Sequence, residues 1–118
     1  MKITERPSGD ITIVDVQGRI MFGDGDEEFR EVVTRVIEAG RVKLLINMAE
    51  VPFVDSAGLS QLVRTFVTAG KKGGQMKLLN LSRRVHDLLT ITRLLTILEA
   101  FESEEEAVAS FALASKAS

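Results

Sequence analysis

The stretch VPFVDSAGLSQLV, residues 51–63, decides the fold of this chain. An apolar run halts at Asp55 and Ser56 and then resumes at helical spacing. Leu59, Leu62, Val63, Phe66 and Val67 fall at i, i+3, i+4, i+7 and i+8, which predicts an amphipathic helix from about Ser56 to Ala69 with these residues on its buried face. Before it, RVKLLINMAEVPFV holds a strand over Val42–Asn47, rich in branched apolar side chains. The acid and the hydroxyl therefore stand where the carboxyl end of a buried strand meets the amino end of a helix. Either side chain can cap that helix by accepting from the orphan N–H groups of its first turn. The same edge of an open α/β sheet is where ligands and chemistry gather. Gly58 is a poor helix former, and its place in the first turn points to a close backbone approach.

The pattern repeats on both sides. KITE and ITIVDVQG read as two strands, with RPSGD between them as a hairpin turn. GRIMFGDGD is a glycine-rich connection. DEEFREVVTRVIEAG is a helix with Phe29, Val32, Val33, Val36 and Ile37 on one face, acids in its first turn and Gly40 at its end. After the central helix, GKKGG is a tight loop with Gly70 as the C-cap, and QMKLLNL is a strand. SRRVHDLLTITRL is a helix capped by Ser82, with Val85, Leu88 and Leu89 facing inward; TILEAF is a short last strand. ESEEEAVASFAL is a final helix, with Ser103 and Glu106 as a capping box. The order ββαβαβαβα predicts an α/β domain with a mixed, mostly parallel sheet, an N-terminal β-hairpin and about four helices.

The 118 residues, 45% hydrophobic and 27% charged, suit one globular domain with a core of its own, expected over about 3–111 with a frayed tail over 112–118. No Cys is present, which excludes disulfides, thiolate zinc sites and a Cys nucleophile. MKITERPSGD lacks the apolar segment of a secretory signal, and no run approaches the ~18 apolar residues of a membrane span. Net charge is −2, with both signs mixed along the chain, and there is no Trp or Tyr. A basic stripe with stacking aromatics is missing, so direct nucleic-acid binding is not expected.

Catalytic motifs fail on inspection. A Ser56 nucleophile needs a base, and the only His, His86, falls on the predicted solvated side of another helix. Val54 stands where the G-x-S-x-G elbow needs its first Gly. Counted from Asp24, a calcium loop would place Phe29 where Gly is required and Arg35 where an acid is required. GKKGG precedes a strand and offers no helix amino end to a phosphate. The chain is not read as an enzyme, and no cofactor or metal is expected.

The strand, VPFVDSAGL, the amphipathic helix and the segment GQMKLLNLSRRVHDLLTITRLLTILEAFESEEEAV together resemble the STAS domain, and in particular bacterial anti-sigma factor antagonists. The likeness runs from about Ile3 to Phe111; DSAGL, GRI at 18–20, GG at 73–74 and LLTILEAFES carry it. The resemblance implies a single STAS domain acting in the cytoplasm as a partner switch. It implies that Ser56 is phosphorylated by an ATP-bound anti-sigma factor serine kinase, with Asp55 shaping the site. The unmodified chain would bind that kinase and free the sigma factor. Phosphorylation would break the contact, and a serine phosphatase would restore it. Ala57, Gly58 and Leu59 adjoin the site, with Ala57 where some members carry a second Ser. Leu59 serves equally as a partner contact or as part of the core. STAS domains also act as constitutive interaction subunits, for example in lipid-transport ABC complexes, and in that role Ser56 would be only a helix cap.

Overall fold

A computed structural model describes the backbone of residues 1–117 and the side chains of residues 1–112. The side-chain order of the tail expected to fray over 112–118 lies, from residue 113 on, outside the described residues. The strands are β1 (Lys2–Ser8), β2 (Ile11–Gln17), β3 (Lys43–Glu50), β4 (Gln75–Leu79) and β5 (Ala100–Phe101). The helices are α1 (Asp26–Glu38), α2 (Ser56–Lys71), α3 (Arg83–Ile91) and α4 (Glu104–Ala117), with a 3-10 turn at Leu94–Thr96. The sheet runs in the order β1-β2-β3-β4-β5; β1 and β2 are antiparallel and all later pairs parallel. This is the mixed, mostly parallel architecture that the sequence predicts.

Register divides the sheet into two faces. Val14, Ile46 and Leu78 align across β2, β3 and β4. They pack with Phe29, Val33, Val36 and Ile37 of α1, Leu62 and Ala69 of α2, and Val85 and Leu89 of α3. Burying each such side chain is worth ~1.5–3 kcal/mol, so this is the main core. Ile13 and Leu45 point the other way and meet Ala107 and Phe111 of α4 in a smaller second core. Three strand–helix–strand crossovers thus place α1, α2 and α3 on one face, and α4 covers part of the other.

Several local expectations are corrected. The hairpin turn is only Gly9 and Asp10, with Gly9 at φ +62°, while Arg6, Pro7 and Ser8 belong to β1. β1 is an edge strand, where the missing N–H of Pro7 does no harm. α2 runs through Gly70 to Lys71; Gly73, at φ +81°, turns the chain instead. Gly73 N–H donates to the Gly70 oxygen and Gly74 N–H to the Ala69 oxygen, a Schellman closure. The same closure ends α1 at Gly40, as expected, with Gly40 and Arg41 donating to Ile37 and Val36. β5 is confined to two residues, because the chain before it is taken up by the 3-10 turn. The buried face of α2 is also rotated. Gly58, Leu62, Thr65 and Ala69 form its inner stripe, Leu59 and Phe66 flank it, and Val67 is 44% exposed. Small residues on that stripe let the helix lie close to its neighbours.

Candidate functional site

The entrance of α2 is built by two segments that run side by side. The chain leaves β3 and passes through Val51, Pro52 and Phe53 to Val54. Val54 forms a parallel bridge with Ile20 of the loop between β2 and α1. Ile20 N–H donates to the Phe53 oxygen at 3.2 Å, and Asp55 N–H donates to the Ile20 oxygen at 3.4 Å. Gly58 sits against this loop. A β-carbon there would overlap the carbonyl oxygen of Ile20 and lie 2.6 Å from Val54 Cγ1. The first-turn glycine thus marks the close backbone approach inferred from sequence.

Asp55 is the helix cap. Its backbone is extended, at φ −97° and ψ −170°, and its carbonyl accepts the first helical bond from Leu59 N–H. Oδ1 accepts from Gly58 N–H at 3.0 Å, and Oδ2 accepts from Phe22 N–H, also at 3.0 Å. The N–H of Phe22 and then that of Gly58 hold this carboxyl below the usual carboxylate range, because both bonds favour the ionised form. One side chain therefore fastens the helix amino end to the neighbouring loop.

Ser56 occupies the first helical position and is exposed. Asp55 has taken the capping role that either residue type can fill, and the exposed Ser56 is not used as the cap. Ala57 is half-buried, Gly58 is buried, and Leu59 is half-buried with its side chain against the main core. The five residues singled out by sequence thus lie at one corner, but in three environments. His86 is exposed on α3, its Nδ1 3.9 Å from Asp87, and among the described residues no hydrogen bond links it to Ser56. The hydroxyl and the imidazole do not form a nucleophile–base pair. Among the described residues no cluster of three metal-binding side chains occurs, and no helix is long and apolar enough to cross a membrane.

The sequence reading missed the contribution of residues 18–25. It treated them as a connection, whereas they form one wall of the site. Asp24 pairs with Arg19 at 3.0 Å, and Asp26 accepts from Gly23 N–H at 3.0 Å, so the acids that mimic a calcium loop are committed locally. The glycines of FGDG were the available signal: Gly23 and Gly25 take φ +70° and +98°, the mark of a turn with a fixed shape. On the opposite flank, the Arg84 guanidinium lies 4.4 Å from the centre of the Phe53 ring.

Comparison with known proteins agrees with this architecture. The STAS domain family model matches residues 2–107. The anti-sigma-B factor antagonist of Bacillus subtilis is 38% identical over 79 residues, which span 67% of this chain and 72% of that protein. An anti-sigma factor antagonist from Mycobacterium paratuberculosis superposes with a TM-score of 0.83 at 18% identity, over 93% of this chain and 92% of that one. SpoIIAA of Bacillus, in its phosphorylated form, superposes with a TM-score of 0.70 at 18% identity, over 92% of this chain and 98% of that one. With the family pattern matched along nearly its whole length, and with the β-hairpin, parallel strands and D-S-x-G-L helix entrance in place, the chain belongs to the STAS domain family.

Proposed function

We propose that this chain is an anti-sigma factor antagonist switched by phosphorylation of Ser56. The observation that carries the reading is the division of labour at the entrance of α2: Asp55 makes the capping bonds, and Ser56 beside it stands exposed. The antagonist named above, at 38% identity, supports the role, and the phosphorylated form of SpoIIAA supports the chemistry.

In this reading the unmodified chain binds an anti-sigma factor that is also a serine kinase, and the sigma factor is released. The kinase brings ATP, Mg²⁺ and the base. Ser56 Oγ attacks the γ-phosphorus, the bond to the β-phosphate oxygen breaks, ADP leaves, and the hydroxyl proton passes to the kinase. A serine phosphatase reverses the modification. The chain is a substrate and a binding partner rather than a catalyst. It acts in the cytoplasm, without direct contact with nucleic acid and without membrane insertion.

Phosphate adds about −1.5 to −2 charges. At the amino end of α2 the helix dipole favours it by ~0.3–1 kcal/mol, and repulsion from Asp55 offsets part of that. The fold survives. The partner surface does not adapt so easily, because it must now desolvate a dianion where a hydroxyl fitted. At 1.4 kcal/mol per decade, a few kcal/mol weakens binding roughly 100-fold.

The test uses the ATP-loaded kinase, intact-mass analysis and titration calorimetry. Wild type gains one phosphoryl group, and Ser56→Ala gains none yet still binds. Ser56→Asp folds normally and binds roughly 100-fold more weakly. Equal binding by wild type and Ser56→Asp would refute the switch. Absence of any mass gain would point to a constitutive interaction subunit.

A further inference from the structure

A hydroxyl offers a partner little to grip. Beside Ser56, however, stands Phe22, 81% exposed and the most exposed large apolar side chain among the described residues. Its setting is rigid. Met21 and Asp24 exchange both backbone hydrogen bonds at 2.9 Å, closing a turn with Phe22 and Gly23 at its tip. Gly23 supplies the positive φ, at +70°, and its N–H donates to Asp26 Oδ1. Phe22 N–H donates to Asp55 Oδ2 at 3.0 Å, so the tip is fastened to the residue that immediately precedes Ser56. A protein that brings a nucleotide to Ser56 Oγ therefore docks next to a turn that is hydrogen-bonded to the preceding residue.

An aromatic ring held in water on a braced turn gives up apolar burial in the free chain. It has only two side-chain torsions to freeze on docking, and its backbone is already fixed, so little entropy is lost when it is buried against a partner. Aromatic side chains are enriched at protein interfaces for these reasons. Resting on the phosphorylation reading above, we propose that Phe22 is the anchor by which the anti-sigma factor kinase holds this chain, entering an apolar pocket beside the kinase's nucleotide. The recognition surface then has two parts: the 21–24 turn provides grip, and the Ser56 hydroxyl provides the switch. The Asp55 carboxylate sets the spacing between them.

The experiment compares wild type, Phe22→Ala, Phe22→Leu and Val67→Ala against the purified kinase that phosphorylates wild-type Ser56. Val67 is a second exposed apolar residue, roughly 16 Å further along α2. Phe22→Ala keeps the wild-type melting temperature and binds the kinase 10- to 100-fold more weakly, ~1.4–2.8 kcal/mol. Its KM as a phosphorylation substrate rises by the same factor, while kcat at saturation stays within about twofold. Phe22→Leu recovers part of the affinity, and Val67→Ala behaves as wild type. Wild-type affinity and KM in Phe22→Ala would overturn the anchor and leave the Ser56 switch standing. Self-association lost in Phe22→Ala without a change in kinase binding would also overturn it, assigning the turn to a second copy of the chain. A wild-type chain that no anti-sigma factor kinase binds or phosphorylates would remove the switch and the anchor together.

Discussion

At Gly58 a β-carbon would run into the carbonyl oxygen of Ile20, which is backbone and itself tied to Asp55 N–H. Gly70, in the same helix, is exposed and has nothing within 4 Å of the place a β-carbon would occupy. The two positions therefore respond oppositely to the same substitution. Gly70→Ala gains helix propensity and reduces unfolded-state freedom, and is expected to raise stability by ~0.5–1 kcal/mol. Gly58→Ala gains the same propensity but must displace the 20–25 loop, for a net loss of ~1–3 kcal/mol. Urea unfolding of both variants checks this; a stabilised Gly58→Ala would show that the loop yields freely. The special role of Gly58 was legible because glycine in a first helical turn contradicts propensity. The choice between Asp55 and Ser56 as cap was not legible, since both residue types accept from a helix amino end. It is settled by the neighbouring loop: the Asp55 carboxylate offers one oxygen to Gly58 N–H and the other to Phe22 N–H.

At the scale of the element, that carboxylate makes the entrance of α2 sensitive to pH. Its folded value lies below the ordinary carboxylate value, because two N–H donors prefer the ionised form. A group depressed in the folded state contributes stability that is fully present above its unfolded value, ~3.9, and is lost as pH falls through the folded value. Asp55→Asn keeps one acceptor and turns an amide NH₂ toward Phe22 N–H, so it is less stable than wild type at pH 7. The gap between the two unfolding midpoints should begin to narrow as pH falls below about 4 and close only below the depressed folded value. Asp15, lowered chiefly by Arg6, and Asp10, lowered chiefly by Lys43, fall with wild type and variant alike, so the difference isolates Asp55. A gap that stays constant from pH 7 to pH 2 would refute the assignment. The existence of α1 and α2 is legible because the apolar period is a property of the local sequence, and for α1 the buried face is legible too. Their limits were harder where neighbours decide. Three glycines compete to end α2. Gly73 and Gly74 take the closing bonds because Gly74 must pass against Val42, whose oxygen receives Gln75 N–H at the start of β4. The inner stripe of α2 is hidden for a similar reason: Thr65 and Gly58 carry no apolar signal, and Gly58 is selected by the close approach of Ile20 and Val54.

For the molecule as a whole, two cores of unequal size share one sheet, and the Ser56 corner is built on the larger. α4 reaches the sheet through Ala107 and Phe111, and Val108 packs at the edge. Arg6 pairs with Glu104 at 2.8 Å, and Lys77 Nζ donates to Ser110 Oγ at 2.9 Å. Lys77 is only 3% exposed, and its ammonium lies 5.0 Å from the Phe111 ring centre and 5.7 Å from that of Phe101. Two such cation–ring contacts are worth ~0.5–2 kcal/mol each, and the ion pair of Lys77 Nζ with the exposed Glu99 Oε1 at 3.4 Å adds ~0–1 kcal/mol, against several kcal/mol for stripping water from the charge. Packing by Phe111 therefore outweighs the lysine's charge in holding α4. Phe111→Ala should cost ~3–5 kcal/mol of that docking, and because α4 packs on the sheet face opposite α1, α2 and α3, the loss should be local. Amide exchange would accelerate across Glu104–Phe111, while Leu62–Ala69 in α2 keep their protection. Lys77→Met keeps the packed stem and removes the desolvated charge, and Ser110 Oγ still donates to the Ala107 oxygen at 2.6 Å. Its α4 amides should be protected at least as well as in wild type. Equal loss of protection in α2 and α4 on Phe111→Ala would mean that the sheet couples its two faces, and the Ser56 corner would then share the fate of the helix behind it.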